Sequence, residues 1–209
     1  MSMPQTSMND PQPAWEIATL YPPQGAWSIE EYLDLTDGTN RLIEFTDGRI
    51  EFLAMPTISH QRILAFLFEL IRTYVRDRKI GEVFLPGTRV QVDPTKFREP
   101  DIMFVAKGVS SDERGRYWRG ADLVMEVVSD DANSRDRDFS KKQADYAAAG
   151  IPEYWIVDPQ EKRVLVLSLN GSSYAVHGEF APGQQATSKL LDGFSVDVAA
   201  TFEAANGDV

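Results

Sequence analysis

The longest periodic pattern of apolar positions lies between residues 59 and 78. Apolar side chains recur there at helical spacing from Ile63 to Val75, with charged residues on the opposite face. This pattern predicts a long amphipathic helix over residues 59–78, which Gly81 is expected to end. Ser28 offers an N-cap for a shorter helix ahead of it.

Most of the remaining apolar runs are short and predict strands. Asp47-Gly48 is a hairpin signal within residues 41–55, and Asn170-Gly171 is a second one between residues 163–169 and 173–177. Further strands are expected at residues 82–85, 88–92, 100–105, 122–128 and 153–158. A helix capped by Ser134 or Asp136 is expected to reach Ala149.

This order of elements predicts an α+β fold with a central mixed β-sheet flanked by helices, an N-terminal helix and hairpin, and a C-terminal β-hairpin. Residues 1–25 contain five prolines and no apolar periodicity, so we expect a flexible leader there. Residues 26–202 are expected to form a single domain, followed by a frayed tail at 203–209.

Composition narrows the classes of function. The 209 residues include no cysteine and two histidines, which argues against a zinc site, and no phosphate-binding G-x-x-x-x-G-K-[ST] loop or G-x-S-x-G motif is present. No apolar run is long enough to span a membrane and no secretory signal is visible, so we expect a cytoplasmic protein. The formal net charge of −11 counts against a nucleic-acid partner, although an acidic metal site accounts for part of it.

Two acidic residues occupy positions that demand a counter-charge. Glu126 lies within an apolar strand, sharing a face with Val124 and Val128, and Asp101 follows a proline at the start of another strand. Two such carboxylates on adjacent strands would hold a hard divalent cation such as Mg²⁺, which activates water for hydrolysis.

A lysine on the next helix supplies positive charge near these carboxylates. Lys142 is one turn after Asp138 and one turn before Tyr146, so the three are expected to share a helical face. An ammonium group here would stabilise the charge that develops in phosphodiester hydrolysis.

The motifs together resemble the Uma-two family of restriction-endonuclease-like domains, within the PD-(D/E)xK nuclease superfamily. The resemblance covers residues 27–170. The residues that carry it are Glu44, Asp47, Gly48, Pro100, Asp101, Glu126, Val127, Ser129, Asp138, Lys142, Tyr146, Gly150, Glu153, Tyr154, Trp155, Val157 and Asp158.

The resemblance implies a Mg²⁺- or Mn²⁺-dependent endonuclease acting on DNA. It implies catalytic roles for Asp101, Glu126 and Lys142, with the metal held by both carboxylates and the backbone carbonyl of Val127. Additional candidates are Glu44, His60, Asp138 and Tyr146. Cleavage of both strands with one site per chain would favour a homodimer.

Two positions depart from the family pattern. Val128 stands where the superfamily places a lysine, so Lys142 is its substitute from the following helix. Asp130 replaces a proline that relatives often have after the serine, which adds negative charge near the site.

Several alternatives remain open from the sequence alone. A catalytically inactive nucleic-acid- or protein-binding module on the same fold fits the acidic charge and Val128, and a carboxylate-pair glycosidase is a weaker alternative. Glu44 and His60 are either site residues or ordinary surface residues. The loop arginines at 114, 116 and 119 either contact phosphates or are solvated, while Tyr154 and Trp155 are expected in the core.

Overall fold

The computed structural model describes residues 20–39, 41–129, 135 and 137–207. They form a mixed α+β structure, which confirms the fold class expected from the sequence. The four α-helices described are α1 (Ile29–Asp37), α2 (Ile58–Arg78), α3 (Lys142–Ala148) and α4 (Val198–Ala204). A π-helical turn, Arg137–Lys141, leads directly into α3.

The strands fall into three sheets, of which the largest has six strands. In chain order the strands are β1 (Ile43–Thr46), β2 (Arg49–Phe52), β3 (Gly81–Phe84), β4 (Val90–Asp93), β5 (Lys96–Arg98), β6 (Ile102–Ala106), β7 (Leu123–Val127), β8 (Glu153–Asp158), β9 (Arg163–Asn170), β10 (Ser173–Phe180), β11 (Gln185–Thr187) and β12 (Ser195–Asp197).

The six-stranded sheet is mixed and runs in the order β10-β9-β8-β7-β6-β3. Only β7 and β8 pair in parallel within it, and the chain segment joining them includes the π-helical turn and α3. A second sheet, β2-β1-β5-β4, and the small β11-β12 pair complete the described strands.

Alternation along β7 gives the large sheet two different faces. Leu123, Met125 and Val127 pack in the cluster that includes the buried side of α2. Val124 and Val128 face the opposite way, into a second cluster that includes Tyr146 from α3. Glu126 has the parity of this second face, which is why its carboxylate points toward α3 and away from α2.

The N-terminal helix and hairpin follow the sequence prediction closely. Ser28 caps α1 in a capping box with Glu31, and Asp47-Gly48 turns between β1 and β2. An aromatic cluster that includes Tyr32 and Phe45 holds α1 against the second sheet. Phe97 on β5 also contacts Tyr32 and Phe45, so the three buried rings hold α1 and the hairpin together.

Several features of the structure differ from the sequence prediction. Helix α2 ends at Lys79, whose φ of 55° is left-handed, so Gly81 is the first residue of β3 and not the helix stop. The short strand β5 went unpredicted because Pro94 precedes it and it is only three residues long. Helix α4 continues to Ala204, past the point where the sequence predicted a frayed tail to begin.

Other predictions fall partly or wholly outside the described residues. The proposed caps Ser134 and Asp136 lie outside them, and the helix is described from its π-helical turn at Arg137 onward. Helix α3 does end as expected, with Gly150 at a φ of 75°. Across the part of the chain that the structure describes, none of the helices is both long and apolar enough to cross a bilayer.

Candidate active site

Two antiparallel strands bring the paired carboxylates to one place. The register of β6 and β7 pairs Ile102 with Met125. One residue beyond that pair, Asp101 stands opposite Glu126, so both carboxylates emerge where the β6 ladder ends. The expectation that neighbouring strands carry these two residues side by side therefore agrees with the register.

Asp101 is held by one of its two oxygens. Its Oδ2 accepts a hydrogen bond of 2.8 Å from the Val127 amide and lies 3.2 Å from His60 Nε2. The N–H and C=O of one strand residue point to the same side of the strand. The Val127 carbonyl therefore faces the same side as its amide, toward Asp101. None of the contacts described for the Asp101 side chain uses Oδ1.

Glu126 is likewise engaged through a single oxygen. Its Oε1 accepts a hydrogen bond of 2.7 Å from the Tyr146 hydroxyl and lies 2.8 Å from Lys142 Nζ. The side chain is almost fully buried, and burial raises the pKa of Glu126 to about 8 although the Lys142 ammonium lowers it. Tyr146 thus supports Glu126 directly.

The Lys142 ammonium lies among three carboxylates. Its Nζ is 2.8 Å from Glu126, 3.4 Å from Asp138 and 3.5 Å from Glu44. Burial on its own would lower the pKa of Lys142, but the surrounding negative charges raise it well above its ordinary value. The surrounding carboxylates therefore favour the cationic form of Lys142, which suits charge stabilisation.

Asp138 and Lys142 face the same way because they are spaced i,i+4 across the π-helical turn and the start of α3. Asp138 lies within the turn and Lys142 begins the α-helix that follows, and both side chains are buried. Insertions of this kind are frequent at functional sites because they re-aim side chains without ending the helix. The Tyr154 hydroxyl anchors the turn by donating to the Asp138 carbonyl at 2.9 Å.

Glu44 reaches the cleft from the second sheet. Ile43 and Phe45 face the aromatic cluster, so the alternation of β1 turns Glu44 to the opposite side. There it is buried, accepts from the Glu99 amide at 3.3 Å and approaches Lys142. Glu44 is therefore a buried residue beside Lys142 and not an ordinary surface carboxylate.

His60 lies in the first turn of α2, beside the site and not on the open surface. Its ring is held against Asp101, and Thr57 caps the helix by accepting from the His60 amide at 3.2 Å. Burial lowers the pKa of His60, but the hydrogen bond and charge of Asp101 outweigh it, so the pKa is raised overall.

Most of these groups line one small cavity of about 50 Å³, although Glu44 and Tyr146 are not among its lining residues. Residues from β7, the π-helical turn, α2, α3, the β2–α2 connection and the segment just before β6 surround it. Its lining includes His60, Glu99, Asp101, Glu126, Val127, Ser129, Arg137, Asp138 and Lys142.

Two lining residues were missed by sequence reasoning. Glu99 is buried, and burial raises its pKa to about 7 although Arg89 lowers it. Its position two residues before Asp101 puts it on the same side of the extended chain, which is the signal that was available. Arg137 lies next to Asp138 and approaches it to 3.8 Å, but a single arginine in a charged run gave no distinguishing signal.

Two of the loop arginines form ion pairs, and the third donates a hydrogen bond to a backbone carbonyl. Arg114 and Arg116 both lie 3.2 Å from Glu30 on α1, and Arg119 donates to the Ser111 carbonyl at 3.4 Å. None of the three lines the cavity. Tyr154 and Trp155 are fully buried, as the sequence predicted.

The donor set fits a hard divalent cation that retains water ligands. Asp101 Oδ1 and Glu126 Oε2 are the oxygens that the described contacts leave for a cation, and the Val127 carbonyl faces the same edge. Mg²⁺ is typically held by one or two carboxylates plus waters. Among the residues that the structure describes, no group of three or more His, Cys, Asp or Glu side chains is arranged to hold a metal ion.

Comparison with known proteins identifies the family. The chain matches the Uma2 family model, described as "Putative restriction endonuclease", over residues 29–199. That match spans most of the sequence, so the chain belongs to the Uma2 family.

The fold has a counterpart among solved structures. One is the crystal structure of "a putative nuclease belonging to DUF820" from Anabaena variabilis, with a TM-score of 0.66 and 19% sequence identity. The alignment covers 83% of this chain and 98% of that one. At this identity the likeness shows a shared fold. No curated protein matches the chain.

Proposed function

We propose that this protein is a divalent-metal-dependent endonuclease that hydrolyses phosphodiester bonds of DNA. The observation that carries the proposal is the pairing of Asp101 with Glu126 across β6 and β7, with the Lys142 ammonium 2.8 Å from Glu126. Family membership and the nuclease-like fold support the same class of reaction.

Asp101, Glu126 and the Val127 carbonyl would hold Mg²⁺ or Mn²⁺. A cation bound there supplies Lewis-acid chemistry, in that it neutralises phosphate charge and makes water a better nucleophile. Hydrogen bonds from Val127 and Tyr146 fix one oxygen of each carboxylate, which orients the other oxygen toward the cavity. Because these contacts lock the side chains before substrate arrives, little reorganisation is needed on binding.

Lys142 provides the fixed positive charge of the site. Its raised pKa keeps it protonated, so it would stabilise the negative charge that develops on the phosphate oxygens. His60 restrains Asp101 from the other side, at 3.2 Å. The remaining candidates, Glu44 and Asp138, hold the lysine in position.

A cleavage assay with matched acidic variants tests the proposal. Purified protein is incubated with circular duplex DNA and with single-stranded DNA, with Mg²⁺, with Mn²⁺ or with chelator. We expect metal-dependent cleavage that Asp101→Asn and Glu126→Gln each reduce by at least 100-fold. The control, Glu69→Gln on the exposed side of α2, is expected to cleave like the wild type.

Two results would contradict it. If no DNA is cut under any of these conditions, while the protein binds DNA or another protein equally well with chelator, the chain is a binding module. Val128, where the superfamily has a lysine, favours that outcome. Cleavage of both strands of a duplex by one site per chain would favour a homodimer, and light scattering of the DNA complex measures whether two chains assemble.

A further inference from the structure

Large apolar side chains are exposed beside the candidate active site. Phe52 is 52% exposed, Met55 is 91% exposed and Ile58 is 73% exposed. These three lie within seven residues, at the connection between β2 and α2, whereas the other exposed large apolar residues described are scattered along the chain. Met55, the most exposed of the three, also lines a cavity, and exposed apolar side chains that lie together mark a binding surface more often than a solitary residue does.

A second cavity has Met55 in its lining. It has a volume of about 270 Å³ and shares Ala54, His60 and Ser129 with the catalytic cavity. Met55 and Val128 provide apolar wall, and the Ser59 side chain belongs to the same lining. The two cavities are therefore neighbours on one continuous cleft.

We propose that this second cavity binds an unpaired nucleobase of the DNA strand being cut, next to the scissile phosphate. The inference rests on the proposed function and names the form of its substrate. At about 270 Å³ the cavity is smaller than the roughly 300–1,000 Å³ typical of drug-sized ligands, which suits one base. Apolar walls with a few hydroxyl groups match the face and edge of a base.

Charge favours a base over additional phosphates as the bound group. The chain carries 32 acidic and 21 basic residues, and electrostatic binding of the phosphate backbone needs the opposite balance. A neutral base buried against Met55 contributes affinity without requiring an excess of basic residues. A paired base stays stacked within the duplex and cannot enter the cavity unless it is extruded, which costs a few kcal/mol. The preferred substrate is therefore single-stranded DNA or an unpaired segment.

Two substitutions alter the cavity without touching the metal-binding carboxylates. Met55→Ala removes apolar wall, and Ser59→Trp fills the space from the helix end. The controls lie at exposed positions on the β9–β10 hairpin: Val176→Ala also truncates an exposed apolar side chain, and Ser172→Trp makes the same change as Ser59→Trp. All four positions are exposed, so the variants are expected to fold, which circular dichroism verifies.

The probe is a 12-nucleotide single-stranded DNA carrying one 2-aminopurine, compared with its duplex, in chelator to prevent cleavage. We expect wild-type protein to change 2-aminopurine fluorescence in the single strand only. Met55→Ala and Ser59→Trp should each weaken binding about 10-fold with an unchanged salt dependence, because the lost contact is uncharged. Both controls should bind like the wild type.

Equal binding of duplex and single strand, or unchanged binding by Met55→Ala and Ser59→Trp, would overturn the inference. Its failure is distinguishable from failure of the proposed function. If metal-dependent cleavage is observed and neither substitution changes it, the proposed nuclease function is supported and the proposed base-binding cavity is wrong. If the fluorescence change depends on Met55 but the protein cleaves no DNA, the base-binding cavity is supported and the proposed nuclease function is wrong.

Discussion

Lys142 is the residue on which the arrangement of the site depends most. Its side chain is buried, and its ammonium neutralises part of the negative charge of Glu44, Glu126 and Asp138. A buried ion pair contributes little net stability, but removing one partner leaves the other charges uncompensated. The sequence correctly indicated that Lys142 shares a face with Asp138, since both follow from helical spacing.

We expect Lys142→Met to lower the free energy of unfolding by about 3–5 kcal/mol, because Glu126 and Asp138 then lose their shared cation. The measurement is urea denaturation in chelator. Lys107→Met, at an exposed position outside the site, is the control and should change stability by less than about 0.5 kcal/mol. Adding Glu126→Gln to Lys142→Met should recover part of the loss, and failure to recover any would argue against this explanation.

Glu99 makes the stability of the fold dependent on pH. Burial raises its pKa from an ordinary value of 4.5 to about 7, and its Oε2 has no hydrogen-bond partner among the described residues. A carboxyl group whose pKa is raised by folding contributes stability that is present at low pH and is lost as the pH rises through the folded value. The window runs from about pH 4.5 to about pH 7.

Glu99→Gln is expected to remove this dependence. A pKa difference of this size corresponds to roughly 3 kcal/mol, so the wild type should lose up to that amount relative to the variant across the window. Chemical denaturation at pH 5 and pH 7.5 measures both proteins. If the difference in free energy of unfolding between the wild type and Glu99→Gln is the same at both pH values, folding does not raise the pKa of Glu99.

The sequence places Glu99 on the same side of the extended chain as Asp101, but it could not reveal the burial of Glu99 or the exact positions of the charges around it. Spacing along a strand or helix fixes which side chains share a face, as it did for Glu126. It does not fix which carboxylates from the separate sheet, such as Glu44, approach that face, because this depends on how two sheets pack. Burial and pairing therefore required the structure.

At the scale of elements, the junction between α2 and β3 is the most constrained connection. Lys79 takes the left-handed conformation that ends the helix, and Gly81 pairs with Ala106 at the edge of the large sheet. A Cβ built on Gly81 would lie 2.1 Å from the Val105 carbonyl oxygen, so the glycine is required by close approach. Sequence patterning recognised a special glycine but assigned it to the wrong element.

We therefore expect Gly81→Ala to destabilise the protein by about 1–3 kcal/mol, since the β3–β6 pairing must shift to relieve the overlap. Gly120→Ala is the control, because an added Cβ there meets nothing within 4 Å. Thermal denaturation of both variants gives the comparison. Equal stabilities for the two would mean that β3 can move at little cost.

The elements that the sequence predicted best are those with strong local signals. The bounds of β8 and the two hairpin turns follow from alternation and from Asp47-Gly48 and Asn170-Gly171. The π-helical turn before α3 was invisible, since no residue type specifies an inserted position. The turn carries Asp138, which lines the same cavity as Lys142 at the start of α3.

At the scale of the whole molecule, the site lies where elements from two sheets meet. Strands β6 and β7 supply Asp101 and Glu126, β1 supplies Glu44, and α2 supplies His60. Metal binding would therefore link parts of the chain that are far apart in sequence. A ligand that binds only the folded state stabilises it in proportion to its concentration over its Kd.

This linkage predicts that Mn²⁺ or Mg²⁺ raises the melting temperature of the wild type. At a concentration 100 times Kd the gain is about 2.7 kcal/mol, which for a chain of this size corresponds to roughly 5–10 °C. Differential scanning fluorimetry with metal chloride, against sodium chloride of equal ionic strength, separates specific binding from screening of the −11 net charge. Glu126→Gln should lose the shift because an amide replaces the carboxylate ligand, whereas Glu69→Gln should keep it. An equal shift in all three proteins would mean that the cation binds elsewhere, and Asp101 and Glu126 would then need another explanation for their proximity.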